Sequence, residues 1–531
     1  MNKRIIKTAV LSLGLAFVVA SCSEDRLESY VPGVLNEELA VSNSADLATL
    51  MNSVYGIVST RDEAVLTSVL TDEVGIGFAN GGQGLNTEWA FTMNPGQSLP
   101  GVMWTQNYFA LSRINRVINL ADKLQPTSTS DANVIANLKA QAYTMRAYCH
   151  LRLLAYFTTD LKDDNALAGI LANRVFLPSE KNNARNTNAE FYQLIHSDLD
   201  TALQLFSESG LAFNSINANS VFANGLKARA YAYKGNYTDA KVYANKVINE
   251  AGLTLATPDQ YRSLFFSDSQ PNNVEVIFKL KRTAAQNAQA TNLHNGWVST
   301  VPTYDGSVFY EVGRSLHNIL NPNNVSGQLI ASQVQDVRAN VIIGPTSTIS
   351  KVDLSTYTTT GDYRNEDVLV INKHGGASTG TTVWAANASN ANNNDFKIMR
   401  LSEMYLILAE AEAAAGNFAG VASALKSVRD ARYGSSQTVT VPTSAQVAYK
   451  AVLDERRLEF AFEGYRFIDL KRLGTLANSG IDRHAVDYAA RTANYPAANP
   501  SNMPLTSHKW ALPIPNVELN VNRSIQQNPG Y

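Results

Sequence analysis

Cysteine is scarce in this chain of 531 residues, which contains only Cys22 and Cys149. Small exported domains that depend on disulfides carry many more, so this protein must draw its stability from a large apolar core. Cys149 lies within a stretch of helical pattern and is predicted to be a small buried thiol.

An excess of positive charge is also missing, since 44 Lys and Arg stand against 46 Asp and Glu. With no basic stripe along the chain, nucleic acid is not predicted as a partner. The 7 histidines are scattered and show no His-Glu-x-x-His or paired-cysteine spacing. The sequence therefore predicts neither a metal site nor a cofactor.

Long apolar runs are absent except for one, from about residue 9 to 20, which follows a basic start at residues 3–7. It is shorter than the roughly 20 residues that a membrane span needs, and it has the form of a secretory signal peptide. Small residues then precede Cys22, as in a bacterial lipobox. We expect residues 1–21 to be removed and Cys22 to be lipidated, which leaves no internal disulfide. An ordinary signal peptide with a chance cysteine is the alternative.

Apolar residues recur at helical spacing over two parts of the chain, about 40–250 and 396–475. Between them, about 251–395 is rich in Asn, Ser, Thr and Gly, with short strand-like runs at 274–278 and 368–371. The pattern predicts a mainly α protein with minor β, in which a loop-rich insertion interrupts a helical scaffold.

Two helical segments repeat one another, at 228–237 and 409–418. In each, an alanine-rich stretch runs into Gly-Asn and then an aromatic residue. Small residues allow close packing and Gly-Asn makes a turn, so the pattern predicts tetratricopeptide-type helical hairpins. Two unrelated alanine-rich helices that end at a glycine are the alternative.

The segment 453–474 is predicted to be one amphipathic helix, in which Asp454 with Arg457, Arg456 with Glu459, and Glu463 with Arg466 are close enough to pair. Its Arg-Arg-Leu-Glu run followed by Glu-Gly-Tyr-Arg resembles the C-terminal signature of the SusD/RagB family. Further motifs match that family in the same order along the chain, at 104–115, 198–202, 336–338, 400–411, 512–515 and 527–531. One stretch, 156–164, departs from the family's Tyr-Gly-Asp-x-Pro.

The resemblance implies a single SusD-like domain over residues 22–531, anchored by lipid in the outer membrane and facing the cell exterior. It also implies a partner, a SusC-like TonB-dependent transporter, over which the protein acts as a lid. The family motifs are expected to be scaffold and do not locate a ligand.

Catalytic patterns are weak. Residues 376–380 fit the Gly-x-Ser-x-Gly elbow of a nucleophile, but the elbow must lead into a helix, and here Ser378 is followed by an Asn-rich segment. Glu459 and Glu463 resemble a glycosidase pair, yet neighbouring arginines favour their charged forms, whereas a general acid needs a raised pKa. We therefore predict that the protein is not an enzyme; a surface glycan hydrolase is the less favoured alternative.

Sugar sites combine aromatic platforms with planar polar side chains. Two segments carry these residues, 78–89 and 292–310, and the resemblance implies that recognition comes from loops in these portions. We predict Trp89, Trp297 and Tyr304 as exposed platforms with Asn86 and Asn295 as polar partners. The alternative is that each aromatic residue packs its loop onto the core.

Together these observations predict a surface nutrient-binding lipoprotein that captures oligosaccharides for uptake. Capture of peptides is the main alternative, because an aromatic cleft serves both kinds of ligand. A structural helical-repeat adaptor is a third possibility, which the long aromatic loops disfavour.

Overall fold

The fold is mainly helical, as predicted, and is described here from a computed structural model. The structure describes residues 40–76, 86–177, 179–266, 274–283, 293–297, 309–322, 335–344, 370–374, 395–485, 487 and 500–531. The helices before the loop-rich part are α1 (Ser44–Ile57), α2 (Arg61–Val69), α3 (Asn86–Trp89), α4 (Ser98–Ala121), α5 (Thr129–Phe157), α6 (Asn188–Ser209), α7 (Ser220–Lys234) and α8 (Tyr237–Glu250).

The helices that follow are α9 (Pro258–Phe266), α10 (Arg314–Leu320), α11 (Val337–Ile342), α12 (Leu401–Ala414), α13 (Phe418–Tyr433), α14 (Ala445–Glu459), α15 (Arg466–Ala477) and α16 (Asn516–Leu519). The strands are β1 (Val74–Ile76), β2 (Val276–Leu280), β3 (Tyr310–Val312), β4 (Ile343–Gly344), β5 (Val370–Ile371) and β6 (Phe396–Arg400). Within the described residues, no helix is both long and apolar enough to cross a membrane.

The long helices α4, α5 and α6 pack side by side, and α5 and α6 begin at residues that suit helix starts. Ser128 caps α5 by accepting a hydrogen bond from the Asp131 amide at 3.1 Å. Thr187 and Glu190 form a reciprocal capping box at the start of α6. Cys149 is fully buried in α5, which confirms its predicted place in the core.

Both predicted helical hairpins are present, as α7–α8 and α12–α13. Gly235 and Gly416 end the first helices with φ values of +81° and +71°, which glycine adopts without strain. Asn236 and Asn417 then cap the second helices with nearly equal backbone angles. The two hairpins pack against each other although 181 positions separate the repeats. A relation to tetratricopeptide repeats stays a prediction.

The prediction of one helix over 453–474 is wrong. Helix α14 ends at Glu459 and α15 begins at Arg466, and the turn between them contains Phe462 at φ +62° and Gly464 at φ +91°. Left-handed backbone at a phenylalanine is strained, so tertiary contacts must hold it. The Phe462 amide donates to Glu73 Oε1 at 3.3 Å, and its carbonyl accepts from His374 Nε2 at 2.9 Å.

The short strands form two small sheets. One has the order β1-β3-β5-β4 and the other pairs β2 with β6, all antiparallel. The strand-like run at 274–278 is confirmed in β2, whereas 368–371 contributes only Val370–Ile371 among the described residues. In the first sheet Val74 lies opposite Val312 and Ile76 lies opposite Tyr310. The last residue of β1 and the first residue of β3 therefore lie at the same end of this strand pair.

Candidate functional site

The pairing of β1 with β3 brings together one end of each of the two chain segments that were predicted to carry the ligand. Ile76, which precedes residues 77–85, and Tyr310, which follows residues 298–308 after Phe309, are register partners. A 3₁₀ turn over His294–Gly296 lies next to this end of the strand pair, and the N-terminus of α2 lies next to that turn.

Four polar side chains connect α2, α4 and the 3₁₀ turn. We term this group the loop face; it consists of Arg61, Asp62, Gln106 and Asn295. Arg61 Nη1 donates to Asp62 Oδ1 at 2.8 Å, and Nη2 donates to Asn295 Oδ1 at 3.4 Å. Gln106 Nε2 reaches Asp62 Oδ2 at 3.4 Å. All four residues are partly exposed, and together they carry hydrogen-bond donors and acceptors.

Trp297 directly follows the 3₁₀ turn that carries Asn295, and it anchors that turn in the core. Its carbonyl accepts hydrogen bonds from the amides of Phe309 at 2.7 Å and Tyr310 at 3.2 Å, which closes the chain across residues 298–308. Its ring stacks on His374 at 5.6 Å and meets Phe462 edge-on at 5.7 Å. The side chain is 0% exposed, so the expectation of an exposed platform is corrected.

Trp89 has a matching place at the base of residues 77–85. Its Nε1 donates to the Val74 carbonyl at 3.3 Å, and the Arg483 guanidinium lies 4.2 Å from its ring centre. Arg483 also donates to the Trp89 carbonyl at 2.6 Å. Trp89 too is 0% exposed and does not present a platform. Each tryptophan packs its loop onto the core, which is the alternative that the sequence left open.

The other predicted site residues have different outcomes. Asn295 is half-buried in the loop face, and its role toward a ligand stays a prediction. Asn86 opens α3, but its side chain lies outside the described part. Tyr304 and Cys22 lie outside the described residues altogether. Sequence reasoning missed Arg61, Asp62 and Gln106, because they lie on helices with no local signal; only their helix-end position near a loop could have pointed to them.

Glu459 and Glu463 are structural rather than paired for acid–base chemistry. Burial alone would raise their pKa values, but Arg432 and Arg400 hold the pKa of Glu459 well below its usual range, and Arg400 and Lys373 lower the pKa of Glu463. Both carboxyls are therefore charged, as the sequence indicated. Ser378 lies outside the described residues. No group of three or more His, Cys, Asp or Glu that suits a metal ion occurs within the described part.

The charged partners differ from those that helical spacing predicted. Glu459 Oε1 accepts from Arg400 at 2.5 Å and from Arg432 at 2.7 Å, not from Arg456. Arg456 instead donates to Asp469 at 2.8 Å. The other two predicted pairs, Asp454 with Arg457 and Glu463 with Arg466, are also replaced. Arg457 and Arg466 both form ion pairs with Asp72, and Asp454 forms one with Lys450. The family-like motif thus joins distant parts of the chain.

Glu73 makes stability depend on pH near neutrality. Burial raises its pKa to about 7, against 4.5 for an ordinary Glu. The folded state then keeps a proton that the unfolded chain releases above pH 4.5. We expect Glu73 by itself to lower the free energy of unfolding by up to about 1.4 kcal/mol per pH unit between pH 4.5 and 7. Urea denaturation across this range measures the slope.

The Glu73→Gln variant is the control for that slope, because glutamine keeps the shape and does not titrate. Burial also raises the pKa of Asp487 to about 7, so the variant is expected to retain part of the slope and lose the part due to Glu73. An unchanged slope in the variant would show that Glu73 is charged in the folded state.

Known proteins share both this fold and these motifs. Residues 220–531, more than half of the chain, match the SusD family. The chain belongs to the SusD family. Residues 33–232 match a second family of this kind, described as starch-binding and associating with the outer membrane. The resemblance drawn from the sequence motifs is therefore confirmed.

Individual SusD relatives cover nearly the whole chain. SusD-like protein P2 of Formosa agariphila is 24% identical over 538 residues, which span 99% of this chain and 100% of the relative. A SusD superfamily protein of Bacteroides thetaiotaomicron has a TM-score of 0.73 at 23% identity, with 92% of this chain and 100% of that one covered. A Bacteroides vulgatus structure described as a putative sugar binding protein has a TM-score of 0.68 at 22% identity, with 93% and 99% covered. At these identities the structures establish the fold of the SusD chain.

Proposed function

We propose that this SusD family protein is a surface lipoprotein that captures oligosaccharides at the loop face and delivers them to a SusC-like TonB-dependent transporter. The second family match, described as starch-binding and associating with the outer membrane, supports both the ligand class and the location. A structural relative described as a putative sugar binding protein supports the ligand class. Catalysis has no part in this function.

One observation carries the proposal: the register of β1 with β3, which sets Ile76 opposite Tyr310. Residues 298–308 begin just after the turn that carries Asn295 and end where Phe309 is bonded to Trp297, and residues 77–85 begin at Ile76, the register partner of Tyr310. Sugar hydroxyls both donate and accept, so they suit a surface that offers a guanidinium, a carboxylate and two amides. Tyr304 and Asn86, in or next to these segments, are proposed to complete the site as platform and polar partner.

Removing two of these side chains together is expected to weaken glycan binding. In Arg61→Ala/Asn295→Ala the affinity for a bound oligosaccharide should fall at least about tenfold, the effect of losing about 1.4 kcal/mol of hydrogen bonding. Calorimetry of residues 23–531 against a panel of glycans and a peptide digest measures it. Tyr304→Ala should show a loss of similar size.

Arg174→Ala is the matched control, because Arg174 is an exposed arginine that pairs with Glu180 away from the loop face. Its binding should equal that of the unchanged protein. If the double variant binds glycans as well as the control does, the loop face is not the site. Heat with peptides alone would move the function to peptide capture, and a cleaved glycan would reveal an enzyme.

The location is tested through Cys22, which is proposed to carry the lipid. With Cys22→Ser we expect less of the protein in the outer-membrane fraction, because the proposed lipid supplies the attachment to the bilayer. Fractionation followed by immunoblotting measures this. Gentle detergent extraction of the unchanged protein should recover a large β-barrel with it, and recovery of the protein alone would contradict the transporter proposal.

A further inference from the structure

A cleft lies where the C-terminal end of α6 and the connection to α7 meet α5. We term it the asparagine cleft, after Asn137, Asn214 and Asn217, which line it together with Leu211 and Phe213. The space that it encloses together with the adjoining solvent is ≈ 570 Å³, so it is an open cleft and not a closed cavity. None of the four loop-face side chains lines it.

The backbone around the asparagine cleft is held in place by Asn219. Its side-chain Nδ2 donates to the carbonyls of Asn214 at 3.1 Å, Asn217 at 3.0 Å and Ile277 at 3.1 Å, while Oδ1 caps α7. The next residue back, Ala218, donates its amide to the Tyr55 hydroxyl at 2.9 Å. These bonds connect the cleft to α1 and β2, so a ligand meets a preformed wall and little ordering is needed on binding.

The lining combines apolar surface with uncharged polar groups. Phe213 is 43% exposed and Leu211 is 50% exposed, although both lie in a concave region. The side-chain amide of Asn217 makes no hydrogen bond within the described part of the chain, and the Asn214 side chain uses only its oxygen, toward the Ile216 amide at 2.9 Å. Among the residues that the structure describes, no ionisable side chain lines the cleft.

We propose that the asparagine cleft is a second carbohydrate site, which takes one or two units of a neutral glycan. The Phe213 ring offers an apolar face to the C–H surface of a pyranose ring. An amide donates from nitrogen and accepts at oxygen, so Asn214 and Asn217 match neighbouring hydroxyls. Because the lining is uncharged, uronic-acid or sulfated sugars gain no counter-charge there. The choice of a carbohydrate as ligand rests on the proposed function, whereas the cleft and its lining residues are observed independently of it.

The stoichiometry of binding tests this site separately from the loop face. Maltoheptaose, cellohexaose and mannohexaose serve as neutral probes and a galacturonic acid oligomer as the anionic one. We expect at least one neutral probe to bind at two sites per chain in calorimetry. Phe213→Ala/Asn217→Ala should reduce this to one site, and Arg61→Ala/Asn295→Ala should leave the cleft site intact.

Phe213→Trp retains an exposed ring and is expected to keep both sites, whereas Val242→Ala, which truncates an exposed side chain on α8, controls for surface truncation. A single site that Phe213→Ala/Asn217→Ala leaves unchanged would overturn the cleft and leave the proposed function standing. Loss of all binding in the loop-face variant alone would overturn the cleft in the same way. Absence of binding by every probe would overturn the proposed cleft site and count against glycan capture as well. Stronger binding of the anionic oligomer at the cleft would overturn the proposed preference for neutral glycans.

Discussion

Replacing Glu459 with alanine is expected to lower the free energy of unfolding by about 3–5 kcal/mol, because the change leaves buried cations without their counter-charge. Glu459 is fully buried, and its carboxylate lies within hydrogen-bond reach of Arg400 and Arg432. Arg338 approaches it at 3.5 Å. Urea denaturation monitored by circular dichroism gives the difference.

Asp454→Ala on the same helix is the control for this prediction. Asp454 pairs with Lys450 at 2.6 Å on the exposed side of α14, where such pairs contribute roughly 0–1 kcal/mol. A loss for Glu459→Ala as small as the loss for Asp454→Ala would mean that water enters the cluster and screens its arginines. That outcome would contradict the buried arrangement of this motif.

Replacing Trp297 with alanine is expected to reduce stability and glycan binding together. Removal of a fully buried indole costs about 3–5 kcal/mol in other cores. The Trp297 backbone also holds Phe309 and Tyr310, so a collapsed or mobile 3₁₀ turn would displace residues 298–308. Thermal unfolding and calorimetry on the same sample measure the two losses.

Two further variants separate packing from direct contact. Trp297→Phe keeps an aromatic ring against His374 and Phe462, so both losses should be smaller than in the alanine variant. Tyr304 is proposed as a platform for the ligand, so Tyr304→Ala should weaken binding and leave the unfolding temperature nearly unchanged. If Trp297→Ala lost binding at full stability, the indole would contact the ligand directly and the packing role would be wrong.

Local patterns in the sequence predicted the parts of the fold that local interactions decide. The Gly-Asn turns of both hairpins follow from the backbone freedom of glycine and the capping of asparagine, so their positions were predicted to the residue. The break after Glu459 was missed, because helical spacing continues across it. Phe462 is held in its strained conformation by contacts from Glu73, His374 and Trp297, which are far away in sequence.

The site was predicted less completely than the fold for a related reason. A tryptophan in a polar, glycine-rich segment has the same local pattern whether it faces a ligand or the core. Its direction depends here on Val74, Arg483 and His374, which the chain brings together only when folded. The polar residues of the loop face lie on two helices and a turn, and their proximity likewise follows from tertiary packing.

The double hydrogen bond at the Trp297 carbonyl makes residues 298–308 an exchangeable cassette. Whatever their length or composition, the chain departs from and returns to one fixed point, so an insertion there adds little strain to the helices and only a slowly growing closure entropy. Under the proposed function, a different ligand can then be accommodated by replacing this segment, while the buried ion pairs and the hairpins stay the same.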